Sequence, residues 1–328
     1  MADRSAAVGY SRQPVRILTV VFVVFFVTLT SAQSAPGPWS MAKLPDTGQS
    51  VKYARTPGED ADVTINPMSF KLNGDGTVTD QVTGLMWQQT DGGEMTWDNA
   101  RAYPKTLTTG GYADWRLPTS HELFSIMNHG RNPALNPEVF PRTDAEYWWS
   151  SETLPNDPNR VWVTNSGGGI GPHPRNETIS AGGPKRYHTR CVRDIAPRKP
   201  APARRFAPNG DHTITDLATG LIWQQDEGPA DMTWEDGLAY ARALDLGGHK
   251  DWRLPNIKEL QSLNDETRAN PSINREAFPG AQATEYWSST TLFGRDSGRA
   301  WIIDFRLGIG SYTDKTAVRR VRCVRGGA

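Results

Sequence analysis

The chain has 328 residues, with 36 basic and 36 acidic side chains and a formal net charge of zero at pH 7. This balance gives no general attraction to nucleic acid, so charge argues against a nucleic-acid-binding role. Twelve tryptophans, 31 glycines and a mean hydropathy of −0.57 favour a turn-rich domain with an aromatic core over a helical bundle.

The first 32 residues have the features of a signal peptide. Arginines precede an apolar stretch from Ile17 to Leu29, and small residues follow at Thr30 to Ala32. The apolar stretch is shorter than the ~20 residues that a membrane-spanning helix needs. We therefore predict cleavage after Ala32 and a periplasmic or secreted protein without a membrane segment, with an uncleaved anchor as the alternative.

Most of the remaining chain consists of two copies of one sequence. The segment from Asn73 to Gln89 returns, nearly unchanged, from Asn209 to Gln225, and D-W-R-L-P recurs at Asp251 to Pro255. Shorter matches pair M-T-W-D with M-T-W-E, E-Y-W-W-S-S with E-Y-W-S-S, and T-R-C-V-R with V-R-C-V-R. Each copy spans about 120 residues, enough for a domain, so we expect two tandem modules with separate cores.

These boundaries divide the chain into five segments. They are a signal peptide (1–32), an N-terminal extension (33–66), a first module (67–194), a linker (195–205) and a second module (206–328). The extension is polar, and we expect it either to wrap onto the first module or to stay mobile. The prolines of the linker predict a stiff, solvated spacer, and its basic residues leave a patch for an anionic polymer as the alternative.

Each module is predicted to contain two helices. The first helix of each follows a threonine, and we expect these helices over Trp97 to Lys105 and over Trp234 to Leu244. Pro104 should end or kink the first of them. The second helices begin with T-S-H-E at Thr119 and N-I-K-E at Asn256, which fit the capping box.

Short runs of β-forming residues account for the rest of each module. The expected strands are Thr77 to Thr79, Leu85 to Trp87, Tyr147 to Ser151, Arg160 to Thr164 and Tyr187 to Arg193, then Tyr286 to Ser289, Ala300 to Phe305 and Arg319 to Val324. Turn residues separate the first two, a hairpin signal. Two helices and a mainly antiparallel sheet make each module an α+β unit.

No pattern in the sequence predicts catalysis, a metal site or a cofactor. The chain has no G-x-S-x-G or H-E-x-x-H motif, and its histidines stand at different positions in the two copies. Each copy has one cysteine, Cys191 and Cys323, in equivalent places. We expect both thiols to be free and buried, with a disulfide between the modules as the alternative.

Residues shared by both copies are expected to build the scaffold. They are Trp87, Trp115, Arg116 and Cys191 in the first module and Trp223, Trp252, Arg253 and Cys323 in the second. An arginine beside a tryptophan could also clamp an anion, but a role in holding the neighbouring turn is the simpler interpretation.

The candidate ligand-binding residues lie where the copies differ. Between its last tryptophan and its cysteine, the first module has a longer loop, Gly167 to Tyr187, rich in glycine, proline and histidine. Variable loops on a rigid scaffold commonly bind ligands, and aromatic rings stack on sugars. The predicted site comprises Trp148, His173, Arg175, Lys185, Arg186 and His188. The alternative is a solvated loop without a ligand.

The ordered motifs P-D-T-G-Q, G-E-D-A-D, N-P-M-S-F, T-G-L-M-W-Q, D-W-R-L-P, Y-W-W-S-S and R-C-V-R resemble the Lcl C-terminal domain family. The W-R-L-P segment, its capped helix and the closing R-C-V are also similar to the formylglycine-generating enzymes. This second resemblance implies a C-type-lectin-like fold for both modules. Family members often carry further cysteines, but Lys52, Pro104 and Ala241 stand at those places, so the family disulfides are expected to be missing.

The sequence thus predicts an exported, non-enzymatic binding or adhesion protein, with a glycan or surface polymer as ligand. Two copies would bind a repeating target with avidity. A structural or protein-interaction component of the cell envelope is the alternative, with an envelope protein as partner. An enzyme of the formylglycine-generating type is a third hypothesis, weakened because one cysteine per module cannot supply the reactive pair.

Overall fold

The computed structural model describes Met1 and residues 40–177, 186–197 and 204–327. Residues 2–32 of the predicted signal peptide, Lys185 and residues 198–203 of the predicted linker lie outside this part of the chain. A search of the described residues found no helix with the length and apolar character needed to cross a membrane.

The described residues form a mixed α+β fold that is rich in sheet. The first repeat contains strands β1 (Phe70–Leu72), β2 (Thr77–Asp80), β3 (Leu85–Gln88), β4 (Ala145–Leu154), β5 (Asp157–Asn165), β6 (Ile170–Pro174), β7 (Arg186–His188) and β8 (Val192–Asp194). The second contains β9 (Phe206–Pro208), β10 (Thr213–Asp216), β11 (Ile222–Gln224), β12 (Glu285–Thr291), β13 (Arg299–Asp304), β14 (Ile309–Asp314) and β15 (Val324–Arg325). The α-helices are α1 (Trp97–Ala102), α2 (Ser120–Ser125), α3 (Trp234–Ala243) and α4 (Ile257–Ser262).

These strands make two small sheets and one large sheet. Each repeat has its own four-stranded sheet, in the order β1-β2-β3-β8 and, for the second repeat, β15-β11-β10-β9. The third sheet has seven strands in the order β12-β13-β14-β6-β5-β4-β7 and therefore runs through both repeats. Gly310 of β14 pairs with Ile170 of β6 at the junction. The named strand pairs are antiparallel except for β4 with β7.

The expectation of two separate cores is wrong because the largest hydrophobic cluster is shared, although each repeat also has smaller clusters of its own. One hydrophobic cluster contains Trp87 and Leu123 of the first repeat together with Trp223 and Leu260 of the second. All six residues of α2 and all six of α4 are buried, and these two helices lie against each other. A helix apolar on one stripe can be covered by its own repeat, whereas a helix buried all round needs a neighbour on its other side. The other repeat supplies that neighbour.

The second helix of each repeat begins as predicted, whereas the first helix of the first repeat is shorter than predicted. Thr119 and Asn256 cap α2 and α4 in complete capping boxes, as their sequences predict. The first helix ends at Ala102 rather than Lys105 and continues as a 3₁₀ turn, Tyr103–Thr106. Pro104 causes this change because it has no amide hydrogen to continue the α-helical ladder.

Two expected strands are broken and one expected loop is partly a strand. The stretch from Tyr187 to Arg193 divides into β7, which joins the large sheet, and β8, which joins a small one. Arg319 to Val324 forms mainly isolated bridges before β15. The glycine-rich loop contains β6, which pairs with β5 over five residues. Backbone groups supply those ladder bonds, so β6 forms despite its poor β propensity.

The N-terminal extension contacts both repeats rather than only the first. We call residues 40–66 the strap. On the first repeat, the amide of Ala42 donates to the Thr83 carbonyl at 2.8 Å, and the His129 amide donates to the carbonyl of Thr47 at 2.8 Å. On the second repeat, Lys258 Nζ donates to the carbonyl of Asp46 at 2.7 Å. The strap therefore ties the two repeats together.

The predicted scaffold residues are placed alike in the two repeats. Trp87 and Trp223 are fully buried, and the indoles of Trp115 and Trp252 donate to backbone carbonyls at 3.2 and 3.1 Å. Both cysteines are buried and free. The guanidinium groups of Arg116 and Arg253 each donate two hydrogen bonds to the glutamate of the adjacent capping box, Glu122 and Glu259, at 2.6–2.7 Å.

Candidate functional site

The predicted ligand-binding residues fall into two groups in the first repeat, and Lys185 lies outside the described residues. One group surrounds the buried carboxylate of Asp91. Trp148 is only 5% exposed, and its indole donates to Asp91 at 3.1 Å. His188 Nδ1 lies 2.8 Å from Asp91, and its Nε2 lies 3.2 Å from Asp144. Arg186 pairs with the same Asp144 at 2.9 Å.

The ion pairs of this cluster keep Asp91 charged. Burial alone would raise the pKa of Asp91, but its bond to His188 and the positive charge of Arg190 lower the pKa to about 2. In the second repeat, the places of Asp91, His188 and Trp148 are held by Glu227, Arg320 and Tyr286. Glu227 pairs with Arg320 and accepts from the Tyr286 hydroxyl. Because the charge pairing persists while the residue types change, the cluster acts as a buried anchor between strands.

The second group lies at the carboxyl-terminal end of β6. His173 Nδ1 is 2.8 Å from the hydroxyl of Tyr187, and its ring packs on Tyr147. Arg175 is half-buried, donates to the carboxylate of Asp98 and lies with its guanidinium carbon 4.8 Å from the ring centre of Trp97. Arg175 thus lies beside an exposed acidic partner, Asp98, as Arg186 lies beside the exposed Asp144. The assignment of all six to a ligand site stays a prediction.

An open groove of about 560 Å³ adjoins Arg175. It is lined by Asp98, Asp157, Asn159, Arg160, Pro174, Arg175 and Asn176. These residues lie at the start of α1, at the start of β5 and around the end of β6, so one helix and two strands position them. Side chains of this type hydrogen-bond hydroxyl, amide and carboxylate groups of a ligand.

Sequence reasoning missed most of the groove residues. The comparison of the repeats singled out the long loop, whereas Asp98 and Arg160 have like-charged counterparts, Glu235 and Arg299, and so drew no attention. The signal that could have found Asp98 is that the strap covers Glu235 and leaves Asp98 exposed. That difference depends on the path of the strap, which no local pattern reveals.

In the second repeat, the strap covers the surface that corresponds to the Asp98 edge of this groove. The amides of Arg55 and Thr56 donate to the Glu235 carboxylate at 3.2 and 3.0 Å. The Thr291 hydroxyl donates to the carboxylate of Glu59 at 2.6 Å. Thr291 is fully buried beneath the strap, while its first-repeat counterpart, Thr153, is half-exposed.

The described residues were searched for groups that could hold a metal ion. They contain no group of three or more His, Cys, Asp or Glu side chains placed to hold a metal ion. Asp75, one of several acidic residues in the first hairpin, accepts hydrogen bonds from the amide and hydroxyl of Thr77 at 3.0 and 2.6 Å. That carboxylate therefore stabilises its own turn.

The fold and the duplicated motifs define a tandem-repeat α+β protein. Residues 76–193 and 212–325 each match the Lcl C-terminal domain. The two matches cover well over half of the chain, which belongs to the Lcl C-terminal domain family. A search of curated proteins found no match.

Proposed function

We propose that this chain is an exported, non-catalytic binding or adhesion protein, and that the groove of the first repeat is its recognition surface. The observation that supports this most strongly is the contrast between the repeats. The chain covers this part of the second repeat with its own strap, and in the first repeat the equivalent face adjoins an open groove lined by polar side chains.

Export and a C-type-lectin-like architecture belong to this proposal. The signal-peptide features of residues 1–32 favour a periplasmic or secreted location. The resemblance to C-type-lectin-like folds is consistent with a mixed α+β unit that has two α-helices in each repeat. A scaffold of this kind would present the groove to partners outside the cytoplasm.

Glycans or surface polymers are one candidate class of ligand. Asp157, Asn159 and Arg160 offer planar hydrogen-bonding groups around Pro174, a set that suits sugar hydroxyls. An envelope protein is the second candidate class. The strap supports it, because the second repeat already holds a polypeptide segment on the corresponding face.

The test is a pair of obstructing substitutions at equivalent exposed positions. Asn176→Trp places a large ring in the groove, and Thr316→Trp places the same ring in the second repeat. The protein without residues 1–32 is presented to a glycan array, to immobilised heparin and to a panel of extended peptides.

We expect binding that Asn176→Trp abolishes and Thr316→Trp retains. Circular dichroism and thermal unfolding of both variants show whether the fold is intact. Failure to bind any of these ligands, or equal loss in the two folded variants, would contradict the proposal.

A further inference from the structure

We propose that the first repeat binds a polypeptide segment from a partner, in the way that the second repeat binds the strap, and that this segment carries one carboxylate. The inference rests on the proposed function, because it names the ligand class of the same surface. It follows from comparing two faces. The strap face consists of Trp234, Glu235, Leu238, Thr291 and Lys315, and the open face consists of the equivalent Trp97, Asp98, Arg101, Thr153 and Arg175.

Equivalent contacts beneath the two faces establish this correspondence. The indole of Trp97 donates to the Ser150 carbonyl at 2.9 Å, and that of Trp234 donates to the Ser288 carbonyl at 2.8 Å. The amide of Trp97 donates to the Arg175 carbonyl at 3.2 Å; the amide of Trp234 donates to the Lys315 carbonyl at 3.0 Å. The two faces therefore share one backbone framework.

The strap is held to the strap face partly through its backbone. Two consecutive backbone amides, at Arg55 and Thr56, donate to the Glu235 carboxylate from a bend in the chain. The small Gly58 lies against the side chain of Arg242 on α3. Backbone amides carry no side-chain identity, so the contact with Glu235 holds the bend without selecting its sequence.

The open face retains the groups that make these contacts. Asp98 stands in place of Glu235 and is exposed. Arg175 donates to its Oδ1, which leaves Oδ2 to accept backbone amides of a bound segment. Arg175 and Arg101 lie with their guanidinium carbons 4.8 Å from the ring centre of Trp97, and in the second repeat Lys315 lies over Trp234 in the same way. Arg101 replaces the buried Leu238, which adds a cation that the strap face lacks.

The charges of the two faces indicate which side chains the partner segment has. On the strap face, Glu59 accepts from the Thr291 hydroxyl at 2.6 Å and Asp60 accepts from the Thr290 hydroxyl at 2.6 Å. Thr153 preserves the first of these donors. Glu152 replaces Thr290, and its carboxylate already accepts the Ser120 amide at 2.6 Å.

Burial raises the pKa of Glu152 to about 7, so above that pH a second carboxylate in the position of Asp60 would meet a like charge. The extra arginine favours a carboxylate in the position of Glu59. The partner segment should thus carry one acidic residue, followed by a neutral one.

The strap itself supplies the probe. A fluorescently labelled peptide of residues 49–62 is titrated into the protein, and binding is followed by fluorescence anisotropy. Two peptide variants test the charge rule: Glu59→Gln removes the favoured carboxylate, and Asp60→Asn removes the disfavoured one. A scrambled peptide and a heparin oligosaccharide complete the set.

We expect saturable binding of the strap peptide. At pH 8, where Glu152 is charged, affinity should fall about tenfold for Glu59→Gln, because a charge-assisted hydrogen bond is lost, and should rise two- to fivefold for Asp60→Asn. In the protein, Asp98→Ala should weaken binding at least tenfold. Glu138→Ala, at an exposed position outside both the groove and the open face, is the control and should change affinity less than twofold.

Every other outcome contradicts the polypeptide inference, and one of them also contradicts the proposed function. Peptide binding that survives Asp98→Ala would show that the peptide has displaced the strap from the second repeat, and would overturn the inference. Equal affinity for the scrambled peptide would do the same. Heparin binding that Asn176→Trp blocks, without peptide binding, would overturn the polypeptide inference and leave the proposed function standing. Absence of all binding would remove both.

Discussion

His121 and Lys258 occupy equivalent positions in the capped helices α2 and α4, and each reaches across to the backbone of the other repeat. His121 Nε2 lies 3.2 Å from the carbonyl oxygen of Gln261, and Lys258 Nζ donates to the Ser125 carbonyl at 2.7 Å. Both side chains are buried. The contact between the repeats is therefore polar at its centre, surrounded by the shared hydrophobic cluster.

Lys258 should contribute strongly to stability because its bonds join three parts of the chain. Its Nζ donates to the carbonyls of Asp46 and Ser125 at 2.7 Å each, so it links the strap and both repeats. Lys258→Met would leave two buried carbonyls without this donor. We expect the free energy of unfolding to fall by about 2–4 kcal/mol in urea titrations. Lys250→Met, at an exposed position, is the control and should change it by less than ~0.5 kcal/mol.

The shared core predicts that the two repeats unfold together. Trp87 and Trp223 belong to one cluster, and the seven-stranded sheet crosses the boundary at Ile170 and Gly310. Urea unfolding followed by tryptophan fluorescence and by far-ultraviolet circular dichroism should give a single coincident transition. A fragment ending at residue 197 should fail to fold. Two separate transitions would contradict the shared core.

A buried carboxyl cluster at the same contact predicts that stability depends on pH. Burial raises the pKa of Glu266 and of Glu152 to about 7 in the folded protein. Glu266 Oε1 accepts from the Ser120 hydroxyl at 2.6 Å and lies 3.0 Å from His121 Nδ1. A raised carboxyl pKa stabilises the fold fully below the unfolded value of about 4.5, and this contribution is lost as the pH rises through 7.

Glu266→Gln isolates this effect because glutamine keeps a hydrogen-bonding group without the charge. Near pH 5 the variant and the parent should have similar free energies of unfolding. Near pH 8 the variant should be more stable, by on the order of 1–3 kcal/mol. Burial lowers the pKa of His121 to about 4, which acts in the opposite direction between pH 6.5 and 4 in both proteins. A difference that does not change between pH 5 and 8 would contradict this account.

The local features of the fold could be predicted from the sequence. Capping boxes at Thr119 and Asn256, the hairpin strands β2 and β3 and the buried tryptophans depend on contacts within a few residues or on hydrophobicity. The shared core of the two repeats could not be predicted, because it depends on which residues pack against the faces of α2 and α4 that their own repeats leave uncovered. Repetition in sequence indicates a duplicated unit but does not state whether the units share a core.

The candidate site was harder to predict for a related reason. Trp148 was expected near a ligand because it is an extra aromatic residue, but an extra aromatic residue can equally fill an enlarged core beside Asp91. Arg175 was predicted, whereas Asp98 was not, since its counterpart Glu235 is also acidic. The two positions differ in their surroundings, and only the path of the strap reveals that difference.

The two cysteines should be unreactive in the folded protein. Burial raises the pKa of the Cys191 thiol to about 12 and that of Cys323 further, so neither is a thiolate near neutral pH. Ellman's reagent should detect essentially no thiol under native conditions and both thiols in guanidinium chloride. Fast reaction without denaturant would show that at least one site is open. Detection of no thiol after denaturation would indicate a disulfide instead.

Glu235 should hold the strap in place, and its counterpart Asp98 provides a matched comparison. Glu235→Gln removes the negative charge that accepts the amides of Arg55 and Thr56, so these amides should open to solvent more often. Hydrogen exchange of the segment from Tyr53 to Thr56 should become about tenfold faster, and trypsin should cleave after Arg55 more rapidly. Asp98→Asn makes the same chemical change on the first repeat, where the strap does not bind that face, and should alter neither measurement. Equal acceleration in both variants would mean that strap exchange reports overall stability and that Glu235 has no specific part in holding it.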